Sequence, residues 1–315
     1  MVVASIAGIM MLSMFQGVFT MDDDGQVLNV FEDGKPVLCY RYMPGELPKL
    51  VQERYRRACY IHPLYGLDGE VMTQDFPFDH RHHRGVFWGW PDSTIGDRKA
   101  DVWALDGIRQ VHSEWVEKKV DDDRVVIAVV NNWIFDDAPE KPIIREDVRV
   151  VVHPAEEQSR AIDFEITFTN VTEELFTIRG AHTDGKGYGG FCVRPDATRK
   201  PFQFTSALGK RENGKDVTDE EFPSPWADVS FATEEDGKIL SGMAVFQHPG
   251  NQGYPQNKWI LRHYGFLGHS WPHVQGYELK PGASVSMRYR LLVHRGDAEV
   301  ANVAGTFEQY QREMK

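Results

Sequence analysis

Hydrophobic and polar residues alternate with a period of two along much of the chain beyond residue 25. The clearest case covers residues 161–170, where four large apolar side chains are separated by acidic and hydroxyl side chains. Alternation of this kind is typical of a strand with one face in the core and the other in water. The same pattern returns at residues 287–293, so the chain is predicted to be rich in half-buried strands.

Further strands are predicted at short segments that are bounded by Gly, Pro and Asp. They cover residues 26–31, 36–40, 108–116, 125–130, 143–152, 176–181, 190–194, 240–246 and 259–262. The first two flank Asp33 and Gly34, a dipeptide that favours a tight hairpin turn. The segment 125–130 is continuously apolar, which indicates a strand that is covered on both faces.

One helix is predicted, at the C-terminus. Asp297 is suited to cap a helix that ends at Glu313, because apolar residues recur between them at helical spacing. These residues are Val300, Val303, Phe307 and Tyr310. The sequence shows no repeat or break in composition near its middle. Many short strands joined by turns therefore favour one large antiparallel β-sandwich domain over residues 25–315, with a short C-terminal helix.

Composition and charge narrow the ligand class. The chain has 315 residues, of which 41% are hydrophobic and 26% charged, as in an ordinary globular protein. The net charge of -12 argues against nucleic acid as a partner, since nucleic acid binds to basic patches. A small-molecule or oligosaccharide ligand is expected instead. The eight tryptophans and eleven tyrosines suit sugar-like ligands and a β-sheet core equally well.

The N-terminus contains an uncharged apolar segment. Residues 1–20 are interpreted as a signal peptide or membrane anchor, which predicts export to the periplasm or the extracellular space. No Lys or Arg precedes the apolar segment and no clear cleavage site follows it. The alternatives are a packed N-terminal segment and an incorrectly assigned start.

Three cysteines, Cys39, Cys59 and Cys192, are widely spaced and form no CxxC pair. A zinc knuckle or a thioredoxin-type site is therefore not expected. Buried free thiols are favoured, and a disulfide between Cys39 and Cys59 is the alternative.

The densest group of chemically active residues lies at residues 75–90, with the sequence DFPFDHRHHRGVFWGW. One interpretation is acid–base catalysis by His80, His82 or His83, because histidine exchanges protons near neutral pH. In that interpretation Arg84 holds a carboxylate or an oxyanion. The tryptophans Trp88 and Trp90 are then expected to stack on the ligand.

Two other interpretations of this segment stay open. His80 and His82 are two residues apart and could both bind a divalent transition metal. The metal would need a third ligand from Asp79 or from a distant histidine, the candidates being His182, His263 and His269. The last interpretation is a polar network that fixes an irregular loop.

Two later segments are candidate walls of the same pocket. Residues 179–194 contain the glycine-rich sequence GKGYGG, but no helix pattern follows it as a phosphate-binding loop requires, so a tight turn is favoured. Residues 248–273 mix amides, charges and aromatic rings that suit sugar hydroxyls. The substrate-binding residues proposed in the two segments are His182, Tyr188, Asn251, Arg262 and His263.

Three motifs resemble the PmoA-like family of bacterial proteins of uncertain function. They are IHPLYG at residues 61–66, DHRHHRG at 79–85 and WGW at 88–90. The resemblance covers residues 25–305. The family carries the label methane oxygenase PmoA, but a true methane monooxygenase subunit needs several transmembrane helices and this sequence offers one at most. That activity is therefore not expected.

A fourth motif, YELKPGA at residues 277–283, is similar to the C-terminal end of galactose-mutarotase-type supersandwiches. Together these resemblances imply a supersandwich fold and a carbohydrate ligand, although no motif aligns with the catalytic glutamate of a mutarotase. We therefore predict an all-β carbohydrate-active enzyme that uses histidine acid–base chemistry for hydrolysis, elimination or epimerisation. A metal-dependent enzyme and a non-catalytic carbohydrate-binding protein are the alternatives.

Overall fold

The computed structural model describes residues 18–121, 123–183, 185–199, 202–211, 220–232 and 240–314. Most of the predicted signal peptide or anchor at residues 1–20 lies outside these described residues. Among the helices that are described, none is both long and apolar enough to cross a bilayer.

The described residues form 22 β-strands, one 3-10 helix (Glu53–Tyr55) and one α-helix, α1 (Val303–Glu313). The strands are β1 (Phe19–Asp23), β2 (Val27–Glu32), β3 (Lys35–Arg41), β4 (Tyr60–Leu64), β5 (Val86–Gly89), β6 (Ser93–Ile95), β7 (Arg98–Ala100), β8 (Ile108–Asp121), β9 (Arg124–Phe135), β10 (Ile144–Val152), β11 (Ser159–Asn170), β12 (Phe176–Ile178), β13 (Gly190–Val193), β14 (Phe202–Ser206), β15 (Gly209–Arg211), β16 (Glu220–Pro223), β17 (Trp226–Ala232), β18 (Leu240–Gln247), β19 (Lys258–Arg262), β20 (Phe266–Ser270), β21 (Tyr277–Leu279) and β22 (Ser284–Arg295).

These strands form three antiparallel sheets in the described part of the chain. Sheet 1 has the strand order β1-β2-β3-β4-β5-β13-β20-β19-β16. Sheet 2 has the order β15-β14-β17-β18-β22-β11-β10-β9-β8, and the smaller sheet 3 has the order β21-β12-β6-β7. Each predicted strand overlaps one of the observed strands.

The inner faces of sheets 1 and 2 pack on each other to form one large core. The ring of Phe191 in β13 stacks on Tyr289 in β22, with 4.5 Å between the centroids, and meets Phe164 in β11 at 5.1 Å. In the same core the indole nitrogen of Trp88 in β5 donates to the carboxylate of Glu146 in β10 at 2.9 Å. The chain thus folds as a large antiparallel β-sandwich, and the predicted fold class is confirmed.

The period-two patterns correctly predicted which side chains are buried. All four large apolar side chains of residues 161–170 are at most 2% exposed. The apolar segment 125–130 is buried throughout, as expected of a strand covered on both faces. Asp33 and Gly34 both have positive φ (51° and 73°) in the turn between β2 and β3, which is the geometry of a tight hairpin.

The C-terminal helix is shorter than predicted. It packs Phe307 and Tyr310 against Phe246 of β18, on the side of sheet 2 that faces away from sheet 1. Residues 298–302 form turns rather than helix, and Asn302 adopts a left-handed conformation immediately before α1. Val300, which was expected on the apolar side of the helix, is consequently 65% exposed.

The three cysteines are free and buried, which confirms the favoured interpretation. Burial raises the pKa of the Cys59 and Cys192 thiols well above the ordinary value, so both stay protonated.

Candidate active site

The outer face of sheet 1, on the side away from the core, supports a second apolar layer. On β5, β13 and β19 the residues Phe87, Cys192 and Ile260 alternate with core residues and therefore point outward. They pack with Trp103 and Phe266 into a buried cluster, which we call the outer layer. A pocket of about 700 Å³ lies above the outer layer.

The pocket combines histidines and charged groups with aromatic rings. Its polar lining includes His80, His82, His83, Asp92, Lys99, Asp101, Lys186 and Arg262. Its aromatic lining consists of Trp103, Tyr188, Tyr264 and Phe266. A concave site with an apolar floor and a few convergent polar groups is the usual form of a small-molecule site.

The three histidines reach the pocket because residues 75–85 form an irregular loop before β5, not an extension of the strand. The backbone N–H of His83 donates to the carbonyl of His80 at 2.9 Å, which closes a turn. The ring centroid of His83 lies 4.7 Å from that of His80 and 4.6 Å from that of His82. Strict alternation would have placed His83 on the opposite face, so the turn is what groups the imidazoles.

His80 is held by a chain of charged groups. Its Nδ1 lies 2.9 Å from Oδ2 of Asp79, whose Oδ1 accepts a hydrogen bond from Arg194 at 3.0 Å. Burial raises the pKa of Asp79, but the hydrogen bond from His80 and the charge of Arg194 outweigh it, and the net shift is downward. The ring of His80 also stacks on Tyr264 at 4.5 Å. Its side chain stays 31% exposed, so it can meet a ligand.

His82 and His83 are neutral at physiological pH. Burial, followed by the positive charges nearby, lowers the pKa of His82 to about 3 and that of His83 well below its ordinary value. Nδ1 of His83 is buried and has no hydrogen-bond partner among the described residues. Both imidazoles suit hydrogen bonding to a ligand better than proton exchange near pH 7.

Asp101 is a second titratable group in the pocket. Its Oδ1 accepts hydrogen bonds from the backbone N–H groups of Trp103 (3.1 Å) and Ala104 (2.8 Å), and Oδ2 lies 3.6 Å from Nζ of Lys99. Burial raises the pKa of this carboxyl despite these partners. Although burial lowers the pKa of Lys99, the charges of Asp101 and Asp92 raise it overall, so the amine stays charged.

Trp88 and Trp90 do not line the pocket. They are 1% and 2% exposed and belong to the core between sheets 1 and 2, because the alternation that puts Phe87 outward points them inward. Their indole nitrogens donate to Glu146 and to the carbonyl of Trp271. The expectation that they stack on a ligand was wrong.

Arg84 also lies outside the pocket. Its side chain is fully buried, pairs with Asp75 at 3.2 Å and donates to the backbone carbonyls of Tyr55, Arg81 and His83. It fixes the loop that carries the histidines, and the predicted role in holding a ligand anion does not fit its burial.

The other predicted substrate-binding residues divide into two groups. Tyr188 and Arg262 line the pocket. His182, Asn251 and His263 are not part of its lining. Asn251 is 5% exposed and donates to the carbonyl of Arg288 at 2.7 Å, so it fastens a loop to β22. His182 uses its backbone N–H to bind Asp92 at 2.7 Å.

The described part of the chain contains no complete set of metal ligands, as the metal-dependent interpretation would require. No group of three or more His, Cys, Asp or Glu side chains there is arranged to hold a metal ion. The rings of His80 and His82, the pair predicted to bind a metal, have centroids 5.7 Å apart and planes 81° apart.

The glycine-rich sequence forms a tight turn, as expected. Gly187 donates to the carbonyl of Ala181, and Ala181 donates to the carbonyl of Tyr188, both at 2.8 Å. Gly190 has φ of +132°, and a Cβ there would collide with the carbonyl oxygen of His269. Close approach of two backbones therefore requires this glycine.

Sequence reasoning missed the segment between β6 and β8. Lys99, Asp101 and Trp103 all line the pocket, and the ring of Trp103 lies 5.4 Å from that of His83 and 5.1 Å from that of Tyr188. An Asp and a Trp two residues apart carry no motif on their own. Only the pairing of β6 with β7 and β12 brings them to the histidine loop.

The sequence matches the family described as "Family of unknown function (DUF6807)" over residues 28–308. The chain belongs to this family. No curated protein matches it. The resemblance to PmoA-like proteins is not tested by these matches and stays a prediction.

Similar solved structures include the galactosidase domain of the alpha-galactosidase-sucrose kinase AgaSK, with 10% identity, a TM-score of 0.41 and 88% of this chain covered. A polysaccharide lyase has 14% identity, a TM-score of 0.35 and 89% of this chain covered. The chain spans 41% and 33% of these two proteins. A galactose 1-epimerase from Lactobacillus acidophilus has 10% identity and a TM-score of 0.35, with 89% of this chain and 98% of the epimerase covered. Structural similarity at this level gives no basis for assigning the activity of these proteins to this chain.

Proposed function

We propose that the protein is a carbohydrate-active enzyme that binds a sugar in the pocket and transfers a proton through His80. The observation that carries this proposal is the series Arg194–Asp79–His80, which ends at a pocket with an aromatic floor. The two links in the series measure 3.0 Å and 2.9 Å. The pocket has a volume of about 700 Å³, which is sufficient for one or a few sugar rings.

The lining of the pocket matches the two-sided chemistry of a sugar. A sugar ring has apolar C–H faces, which stack on flat side chains, and hydroxyl groups around its edge, which need donors and acceptors. Trp103 and Tyr188 supply aromatic rings, and the neutral imidazole of His83 can accept or donate a hydrogen bond. Lys99 supplies a charged hydrogen-bond donor in the same lining.

The carboxylate of Asp79 gives His80 a defined role. Nδ1 of His80 lies 2.9 Å from Oδ2 of Asp79, so the nearby carboxylate favours the tautomer with its proton on Nδ1, in which Nε2 can act as a base. When Nε2 accepts a proton, from the sugar in elimination or epimerisation and from the attacking water in hydrolysis, the positive charge that forms is stabilised by the ionised Asp79. Arg194 helps to keep Asp79 ionised, because its charge and hydrogen bond lower the pKa of that carboxyl.

Asp101 is suited to the complementary role. Burial raises the pKa of Asp101, which is the direction that suits a group that gives a proton to a leaving oxygen or a ring oxygen. Hydrolysis, elimination and epimerisation of sugars each need one group that takes a proton and one that gives it. His80 and Asp101 supply this pair. Which of the three reactions takes place is determined by identifying the product.

The test incubates the purified protein with mono- and oligosaccharides of glucose, galactose, mannose, xylose and galacturonic acid. New reducing ends report hydrolysis, ultraviolet absorbance of an unsaturated product reports elimination, and proton NMR reports epimerisation. We expect His80→Ala to lose about 10²–10⁴-fold of the turnover while binding is retained. The matched control is His153→Ala, which removes a histidine that also pairs with a carboxylate, Asp163, but on sheet 2.

Two outcomes would contradict the proposal. Glycan binding without any turnover across the panel would favour the non-catalytic binding protein. A stoichiometric transition metal that is lost in His80→Ala would favour the metal-dependent alternative.

A further inference from the structure

We propose that the pocket continues into a second sugar-binding position on the ring of Phe78, so that the ligand is an oligosaccharide. This inference rests on the proposed function, because it extends the same pocket outward. It concerns a residue that belongs neither to the lining of the pocket nor to the proton-transfer groups.

Phe78 is 89% exposed, although its neighbour Pro77 is buried. Single exposed apolar side chains are common on protein surfaces, so exposure alone assigns no role. The position of Phe78 is what distinguishes it. It lies two residues before His80, and two residues span at most about 7 Å. His80 lines the pocket and its side chain is 31% exposed, so the Cα of the exposed Phe78 lies within about 7 Å of the Cα of a pocket residue that is open to solvent.

The ring of Phe78 is held in place from one side. The guanidinium of Arg81 lies over it at 4.9 Å from the centroid, and Nη1 of Arg81 donates to the carbonyl of Phe76 at 2.8 Å. The loop is fixed on either side of the ring, by the ion pair of Asp75 with Arg84 and by that of Asp79 with Arg194. A ligand that binds to an already ordered ring loses little additional conformational entropy.

An exposed ring of this kind suits a sugar unit that continues beyond the pocket. Phenylalanine has no polar atom in its side chain, so it can hold a sugar only by stacking on a C–H face. Stacking of this kind tolerates different hydroxyl patterns. The pocket would then select the sugar that reacts, and Phe78 would favour a chain over a monosaccharide.

The experiment measures dissociation constants by calorimetry for galacturonic acid, glucose and their oligomers of two to six units. For Phe78→Ala we expect about 3- to 10-fold weaker binding of the longer oligomers and unchanged binding of the monosaccharides. Phe78→Tyr keeps a flat ring and should bind like the native protein. The control Leu208→Ala removes another exposed apolar side chain, at the turn between β14 and β15, and should change nothing.

The outcomes separate this inference from the proposed function. If the native protein binds monosaccharides and oligomers equally, and Phe78→Ala alters neither, the second position is refuted while the sugar pocket stands. If the native protein binds no glycan in the panel, both are overturned. If Phe78→Ala dissociates an oligomer of the protein in analytical ultracentrifugation and leaves glycan binding unchanged, the ring belongs to a protein interface and the inference is also refuted.

Discussion

The inner and outer faces of sheet 1 both carry a buried apolar layer, but their polar groups differ in how completely they are hydrogen-bonded. Between the inner face of sheet 1 and sheet 2, the carboxylate of Glu146 from β10 is fully buried and accepts four hydrogen bonds. Its donors are Trp88, Gln110, Asn131 and Trp133, at 2.7–2.9 Å. This network needs no further partner, which is the condition for burying a polar group in a stable core.

On the outer face the polar groups are only partly satisfied by the protein. Asp79 is 41% exposed, and Asp101 has one oxygen fixed by two backbone N–H groups and the other 3.6 Å from Lys99. Nδ1 of His83 is buried without a partner among the described residues. Groups in this condition gain from a ligand that completes their hydrogen bonds. The comparison thus assigns stability to the Glu146 network and ligand binding to the pocket groups of the outer face. Nε2 of His269 on the inner face is also buried without a partner among the described residues, so the assignment follows from the Glu146 network and the open pocket, not from every polar group.

The largest test of this division is Trp88→Ala. Removing this indole leaves a cavity in the core and one oxygen of Glu146 with one donor fewer, so we expect the free energy of unfolding to fall by about 3–5 kcal/mol. Urea denaturation measures the loss, and glycan titration of the remaining folded protein should give an unchanged dissociation constant. The control Trp115→Ala removes a half-buried indole of β8 and should cost less. A weakened glycan affinity in folded Trp88→Ala would show that the two faces are coupled.

The sequence alone could predict that β5 is a strand but could not tell which of its faces meets the core. Residues 86–90 are apolar on both sides, since Val86 and Trp88 fill the core while Phe87 fills the outer layer. Alternation reveals orientation only where one face is polar. For that reason the strands β11 and β22, which have a polar side, were interpreted correctly, whereas the tryptophans of β5 were assigned to the pocket.

The candidate site was predictable only where its residues are close in sequence. The cluster His80, His82 and His83 was visible as a motif, and the structure groups these rings at one pocket. Asp101 and Trp103 reach the same pocket from about 20 residues away, through a hairpin in sheet 3. Such contacts depend on the topology of the whole sheet, which no local pattern encodes. The low pKa of His82 could not be predicted from the sequence either, because it depends on the burial of the side chain.

A second and smaller test uses the pH dependence of stability. His269 on the inner face is fully buried, and burial lowers its pKa to about 3, whereas an unfolded chain has a histidine pKa of about 6.5. Between these values the unfolded state binds a proton that the folded state does not. The stability is therefore complete above pH 6.5 and falls as the pH drops, by about 2 kcal/mol at pH 5 from this residue.

Urea denaturation between pH 7 and pH 5 measures this dependence. We expect His269→Gln to be less stable than the native protein at pH 7, because it alters the contact of Nδ1 with the hydroxyl of Tyr289 at 2.9 Å. Its stability should, however, fall less steeply with decreasing pH. An equal slope in both proteins would show that His269 does not stay neutral in the folded state.

The smallest expected effect concerns Phe87, the neighbour of Trp88 on the opposite face. The ring of Phe87 lies 5.4 Å from Trp103 and 5.8 Å from His83, so it supports two side chains of the pocket from below. Phe87→Leu keeps the site apolar, and we expect it to lower the free energy of unfolding by only about 1 kcal/mol. Binding of a sugar should nevertheless weaken by about 3-fold, within the range of one aromatic contact.

The matched control for Phe87→Leu is Val86→Ala, on the same strand but on the inner face. It also removes buried apolar atoms, so it should lower stability without changing the dissociation constant measured by calorimetry. If both variants weakened sugar binding equally, the effect would follow from stability and not from the face of the sheet. If only Phe87→Leu weakens sugar binding, then Val86 serves the core and Phe87 supports the ligand site. A strand directs successive side chains to opposite sides, so two adjacent residues can have these different roles.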